Sequence, residues 1–193
     1  MKKKVIKFSV FMAIITISTV TLSITINAQE KGDIAIGVNM VVWWTPSQTI
    51  ERNPSYTNTG IGAKFSYNVI SQLRLAGEFD YFSEKDFASM WDCRVYSHYL
   101  FPVAVNTVVY PSIGIGMIDV KTNGFPTPTP STAAFTIGIG ADCELSSNLI
   151  LNGEIRHHVL FFDGRYMDKN YNHSKIFNFA IGLAYKFNTH KSN

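Results

Sequence analysis

Phe177, Phe179, Ile181, Leu183, Tyr185 and Phe187 take every second position near the end of the chain, with Asn178, Ala180, Gly182, Ala184 and Lys186 between them. A period of two puts the apolar residues on one face of a strand and the small or polar ones on the other, whereas a helix would scatter them around its circumference. The same parity returns in seven earlier segments. The pattern predicts strands over Asp33–Trp44, Gly60–Asn68, Gln72–Phe82, Ser89–Phe101, Thr107–Ile118, Ala133–Leu145, Asn148–Phe162 and Ile176–Phe187.

The connections alternate in length. Val69 to Ser71, Pro102 to Asn106 and Ser146 with Ser147 are compact, while Pro46 to Asn58, Ser83 to Ala88, Lys121 to Thr132 and Asp163 to Lys175 are mostly longer and carry loop punctuation. The expected fold is all-β, an eight-stranded antiparallel transmembrane β-barrel with short periplasmic turns and longer external loops. A weak repeat of about 77 residues fits two four-stranded units. Leu73-Arg74-Leu75-Ala76-Gly77-Glu78-Phe79 matches Leu149-Ile150-Leu151-Asn152-Gly153-Glu154-Ile155.

Alternation alone does not separate a membrane barrel from a soluble one whose apolar face lines the interior. The aromatic residues favour the membrane. On the apolar face, Tyr67, Tyr99, Phe101, Tyr185 and Phe187 fall at one set of strand ends and Trp44, Tyr81, Phe135 and Phe161 at the other, with mainly aliphatic residues between. Two girdles around an aliphatic band match the layers of a bilayer. The other face carries Lys64, Arg74, Glu78, Asp80, Asp92, Arg94, Asp142, Glu144, Glu154, Arg156 and Lys186, spaced by glycines. An eight-stranded barrel is just wide enough for side chains to fill it. Paired charges are therefore expected across a plugged lumen, a structural network drawn from Lys64, Glu78, Arg94, Glu154 and Arg156, with glycines making room for Arg and Lys.

Lys2, Lys3, Lys4 and Lys7 precede an apolar stretch from Phe8 to Ile26 that reaches Ala28. This reads as a secretory signal peptide over residues 1–28, leaving 29–193 as one barrel domain. Loss of those four lysines takes the formal charge from +3 to about −1, so nucleic acid is not an implied partner. Cys93 and Cys143 fall on the apolar face of strands that are not neighbours, so no disulfide is expected between them.

The segments Leu75-Ala76-Gly77-Glu78-Phe79-Asp80-Tyr81-Phe82 and Tyr99-Leu100-Phe101-Pro102-Val103, with the ending Tyr185-Lys186-Phe187, resemble the small outer-membrane β-barrels of the OmpA, OmpX and OmpW type. The resemblance covers essentially the whole of 29–193. It implies a place in a Gram-negative outer membrane, outer-membrane lipid as surroundings, and the barrel-assembly machinery as a partner during biogenesis. In that family a terminal aromatic residue on the last strand is read by that machinery; here Phe187 is followed by Asn188 to Asn193.

No catalytic residue, metal or cofactor is expected, since no HxxxH, CxxC or GxSxG pattern is present. His98 and His158 are expected to join the lumen network, and His173 beside Ser174 to be a solvated loop residue rather than half of a dyad. Gly124-Phe125-Pro126-Thr127-Pro128-Thr129-Pro130 reads as a stiff, extended spacer in preference to a ligand epitope. Arg165, Tyr166 and Tyr171 are the expected contacts for an external ligand or host surface. The expected role is that of a monomeric, structural or surface-interacting barrel with no general pore. Transport of small or apolar solutes is the alternative, and a lipid-modifying enzyme stands third.

Overall fold

The computed structural model describes residues 30–45, 56–85, 88–122, 131–161 and 175–187. Nine strands run in chain order: β1 (Ile34–Thr45), β2 (Tyr56–Ile70), β3 (Leu73–Lys85), β4 (Ala88–Tyr99), β5 (Phe101–Ala104), β6 (Thr107–Thr122), β7 (Thr132–Ser146), β8 (Leu149–Phe161) and β9 (Lys175–Phe187). All pairings are antiparallel. β1 pairs with both β2 and β9, and β4 pairs with β6 as well as β3, so the sheet closes on itself.

β4 and β5 are one stave of the barrel, which therefore has eight. β4 leaves the β6 ladder at His98 opposite Ser112, and β5 resumes the same register at Phe101 opposite Val109. Between them Pro111 stands across from Tyr99 and has no N–H to donate, which accounts for the break. Pro102, expected in the connection, lies inside β5 instead. The Leu100 N–H points towards β3, donating to the Gln72 carbonyl at 2.8 Å, and Pro102 has the same parity. Its missing N–H thus falls on the side of β5 that no strand covers, where proline blunts an open edge.

From Asn39 the register runs through Gly62, Asp80 and Asp92 to Ile118 on β6, and in the other direction through Gly182, Asn152 and Asp142 to Val108 on the same strand. The ten positions between Val108 and Ile118 are the stagger of the barrel, which goes with strands tilted by roughly 35–45°. The short-turn end is tightly tied. The Asn106 and Asn148 carbonyls accept from the N–H groups of Glu144 and Lys186 at 2.7 and 2.8 Å, and Gly32, at a φ of 90°, donates to the Asn68 carbonyl at 2.8 Å.

At the opposite end the strands outlast the apolar alternation. β2 begins at Tyr56 rather than Gly60, β3 continues to Lys85 and β6 to Thr122. Backbone pairing needs no apolar side chain, and the β1–β2 ladder holds register to Thr45 opposite Tyr56. Residues 1–28, expected to be a signal peptide, the Pro-rich segment from Gly124 to Pro130, and His173 with Ser174 lie outside the described residues.

The two faces differ sharply. Val38, Met40, Ile61 and Ile115 point outward and are 64–69% exposed, whereas Arg156, His98 and His158 point inward and are 0% exposed. So large an apolar exterior belongs in lipid, not water. Tyr67, Tyr99, Tyr185 and Phe187 are exposed at the short-turn end and Trp44 and Tyr81 at the other. Phe79 and Phe179 interrupt the aliphatic band between them, as phenyl rings carry no polar group that needs the interface. Cys93 and Cys143 are free thiols on the outer face.

Candidate functional site

The feature that sets this barrel's properties is its filled interior, which is built in three levels. In the middle, Arg156 of β8 reaches across the bore to Glu78 of β3, with Nη1–Oε1 at 2.9 Å and Nη2–Oε2 at 2.6 Å. Its Nη2 also donates to Glu154, which receives Lys64 Nζ at 2.9 Å. Arg94 donates to Asp80 and lies 3.0 Å from Asp92 through Nε. Asp80 and Asp92 face each other directly across β3 and β4, an opposition of like charges that needs the guanidinium of Arg94 beside it. Arg94 Nη1 also sits 3.0 Å from His158 Nε2, and the Thr136 hydroxyl is 2.8 Å from His158 Nδ1.

Two inward rings support the cations. The Arg156 guanidinium lies over Tyr96 at 4.7 Å, and Arg74 and Lys64 lie over Tyr110 at 5.4 and 5.8 Å. Tyr110 in turn stacks on His98 with centroids 4.6 Å apart.

The glycines of β6 and β7 leave the space these groups occupy. A Cβ on Gly114 would come within 2.5 Å of the Tyr96 ring, and one on Gly140 within 2.5 Å of Glu154 Cγ; at Gly116 it would overlap the Arg94 side chain. Lys64, Glu78, Arg94, Glu154 and Arg156 thus all lie inside the barrel, each at most 6% exposed. Glu78, Glu154, Arg156 and Lys64 form one connected set. Arg94 belongs to a neighbouring set with Asp80, Asp92 and His158.

Towards the short turns the second level is two further pairs. Arg74 meets Asp142 at 2.7 Å, with the Tyr110 hydroxyl donating to the same carboxylate at 3.1 Å, and Lys186 meets Glu144 at 2.5 Å. A cavity of about 20 Å³ remains between Lys64, Arg74, Asn152 and Lys186, room for about one water.

The third level, at the opposite end, is apolar. Val41, Trp43, Phe82, Met90, Ile118, Ala134, Leu160, Ile176 and Ala180 form a buried cluster. Trp43 lies on His158 at 5.7 Å and near Phe82 at 5.6 Å, closing the charged level from above.

The sequence reading missed this lid, and it missed Tyr96 and Tyr110. Their parity was available, since Tyr96 shares its strand face with Arg94 and Tyr110 shares its own with Ser112, Gly114 and Gly116. Their apolar character hid them, because an inward phenol or indole looks in sequence like a lipid-facing one.

Among the described residues no group of three His, Cys, Asp or Glu side chains is arranged to hold a metal. Ser112 and His98 are direct cross-strand partners, and Glu154 Oε1 is 3.5 Å from His98 Nε2. Ser112 Oγ is turned towards Gly138 and has no hydrogen-bond partner. All three are buried in the lumen. Arg165, Tyr166 and Tyr171 lie outside the described residues.

Comparisons with known proteins agree with this architecture. Neisserial surface protein A aligns at a TM-score of 0.64 and 11% identity, over 81% of this chain and 100% of its own. OprG of Pseudomonas aeruginosa aligns at 0.57 and 12%, over 85% and 100%. Ail, the attachment invasion locus protein of Yersinia pestis, solved with the heparin analogue sucrose octasulfate, aligns at 0.53 and 16%, over 81% and 99%. These likenesses are of fold. No curated protein sequence matches the chain. The family described as outer membrane protein beta-barrel domain matches residues 12–187. The chain belongs to that family of small outer-membrane β-barrel proteins.

Proposed function

We propose that the protein is a rigid, closed stem in the outer membrane whose role is structural or a matter of surface contact, and that it forms no general pore. The observation that carries this reading is the continuity of buried charge across the bore. Arg94 and Arg156 are at most 2% exposed, and the Arg156–Glu78 fork joins staves on opposite sides of the barrel. Opening a water path would require breaking these pairs, and an uncompensated buried charge costs several kcal/mol, on the order of 3–5. The apolar lid supports the same reading, since it excludes water from the end facing the longer connections.

The long connections are then the contact-making part, with Arg165, Tyr166 and Tyr171 as the proposed contacts. The leader is removed after Ala28. Planar-bilayer recording of the pure protein tests the central claim. The expected result is no steady water-filled conductance, and a large, steady one refutes it. Sequencing of the mature N-terminus is expected to begin at Gln29.

A further inference from the structure

The lipid-facing wall is not evenly covered. On one row of outward positions Gly77 of β3 stands between Phe65 of β2 and Val95 of β4. A Cβ built on Gly77 would meet nothing nearer than the Arg94 carbonyl oxygen at 3.9 Å. On the next row the short side chains of Ala63, Cys93 and Ala133 flank Phe79 and Met117. Together they leave an apolar groove of about 1020 Å³ in the outer wall. Phe65 and Val95 flank it on either side of Gly77. Phe79 and Trp91, stacked with centroids 6.2 Å apart, bound it towards the outside.

We propose that this groove is a binding site for one hydrocarbon chain of a bilayer phospholipid. It is continuous with a face that already meets lipid, so the medium that reaches it is acyl chain. Its width selects the occupant. Neighbouring strands are about 4.7–4.9 Å apart, so one missing side chain opens a furrow roughly one polymethylene chain wide, whereas a helix with its side chains needs about 10–12 Å. A second barrel presents a convex wall and does not enter such a furrow. A chain lying in it gains dispersion contacts with the floor and both walls that a flat wall offers on one side only, and the rings that flank it are held by their own stacking.

Native mass spectrometry of protein reconstituted in phosphatidylethanolamine and phosphatidylglycerol vesicles, then extracted in mild detergent, tests the site. Wild type is expected to retain one phospholipid. Gly77→Leu, whose Cβ enters open space, and Ala63→Leu, which narrows the groove from the next stave, are expected to lose it. Gly153→Leu is the control, because Gly153 also faces outward with nothing within 4 Å of its Cβ position but lies outside the groove. Retention of lipid by all four proteins, or by none, overturns the proposal. So does efficient Cys93-to-Cys93 cross-linking in the vesicles, which would make a second copy the occupant.

Discussion

Replacing Arg156 by Met removes the cation that ties the two halves of the barrel together while keeping an unbranched stem in place of its aliphatic part. The guanidinium makes two hydrogen bonds to Glu78 at 2.9 and 2.6 Å, a third to Glu154, and lies 4.7 Å from the Tyr96 ring centroid, all at 0% exposure. If the pair were exposed, water would replace the lost partner and the cost would be about 0–1 kcal/mol. Glu78 is buried inside this lumen, so the substitution leaves a buried carboxylate without its main partner and should cost about 3–5 kcal/mol. Glu154 loses less, because Lys64 remains at 2.9 Å.

A double-mutant cycle isolates the pair. Glu78→Gln removes the orphaned charge, so Arg156→Met with Glu78→Gln should be less destabilised than the sum of the single variants by about 1–3 kcal/mol. Urea unfolding in lipid vesicles, followed by tryptophan fluorescence, supplies the free energies. A cost below about 1 kcal/mol for Arg156→Met, or additivity of the two changes within about 0.5 kcal/mol, would refute the reasoning that this ion pair is desolvated.

Other substitutions probe the remaining surfaces by the same unfolding assay. Gly116→Val should destabilise by about 1–3 kcal/mol or more through overlap with Arg94, while Gly77→Ala and Gly153→Ala, whose Cβ positions are open, should be neutral or stabilising by up to about 1 kcal/mol. On the lipid face Ile139→Arg, within the apolar band, should cost about 2–4 kcal/mol, against about 0–1 for Tyr67→Arg at the periplasmic girdle. Trp43→Ala should cost about 3–5 kcal/mol by emptying the lid. It should nevertheless leave planar-bilayer conductance unchanged, because the Arg94 and Arg156 level persists beneath it.

The barrel was legible because its two media impose opposite demands at a strict period of two. Ile181 and Leu183 take one side of the wall and Asn178 and Lys186 the other, and the aromatic girdles turn the first pair towards lipid. Strand ends were less legible where backbone pairing continued without side-chain alternation, as at Tyr56 and Lys85. The break at Leu100 depends on Pro111, a residue of another stave whose missing N–H matters only once the register is known. In the lumen, charge marked Glu78, Glu154 and Arg156 as residues that needed partners, but their choice of partner depends on stagger. Arg156 meets Glu78 because β3 and β8 lie opposite each other in a closed ring of eight staves, which no local pattern states.

The apolar lid follows from the same closure. An inward position in so narrow a barrel meets other side chains rather than water, so its composition answers to what lies across the bore. Around the middle, each carboxylate finds a guanidinium or ammonium within reach. Above Asp80, Asp92 and His158 the described inward faces offer Val41, Phe82, Met90, Ile118 and Ile176 and no cation among the buried residues. A charge placed there would be buried without a partner, and apolar packing is the filling that avoids that cost. Parity therefore locates the side of the wall, while the partner across the bore decides the chemistry. Lid and charge belt thus fill the bore by separate means, one by apolar packing and the other by ion pairs.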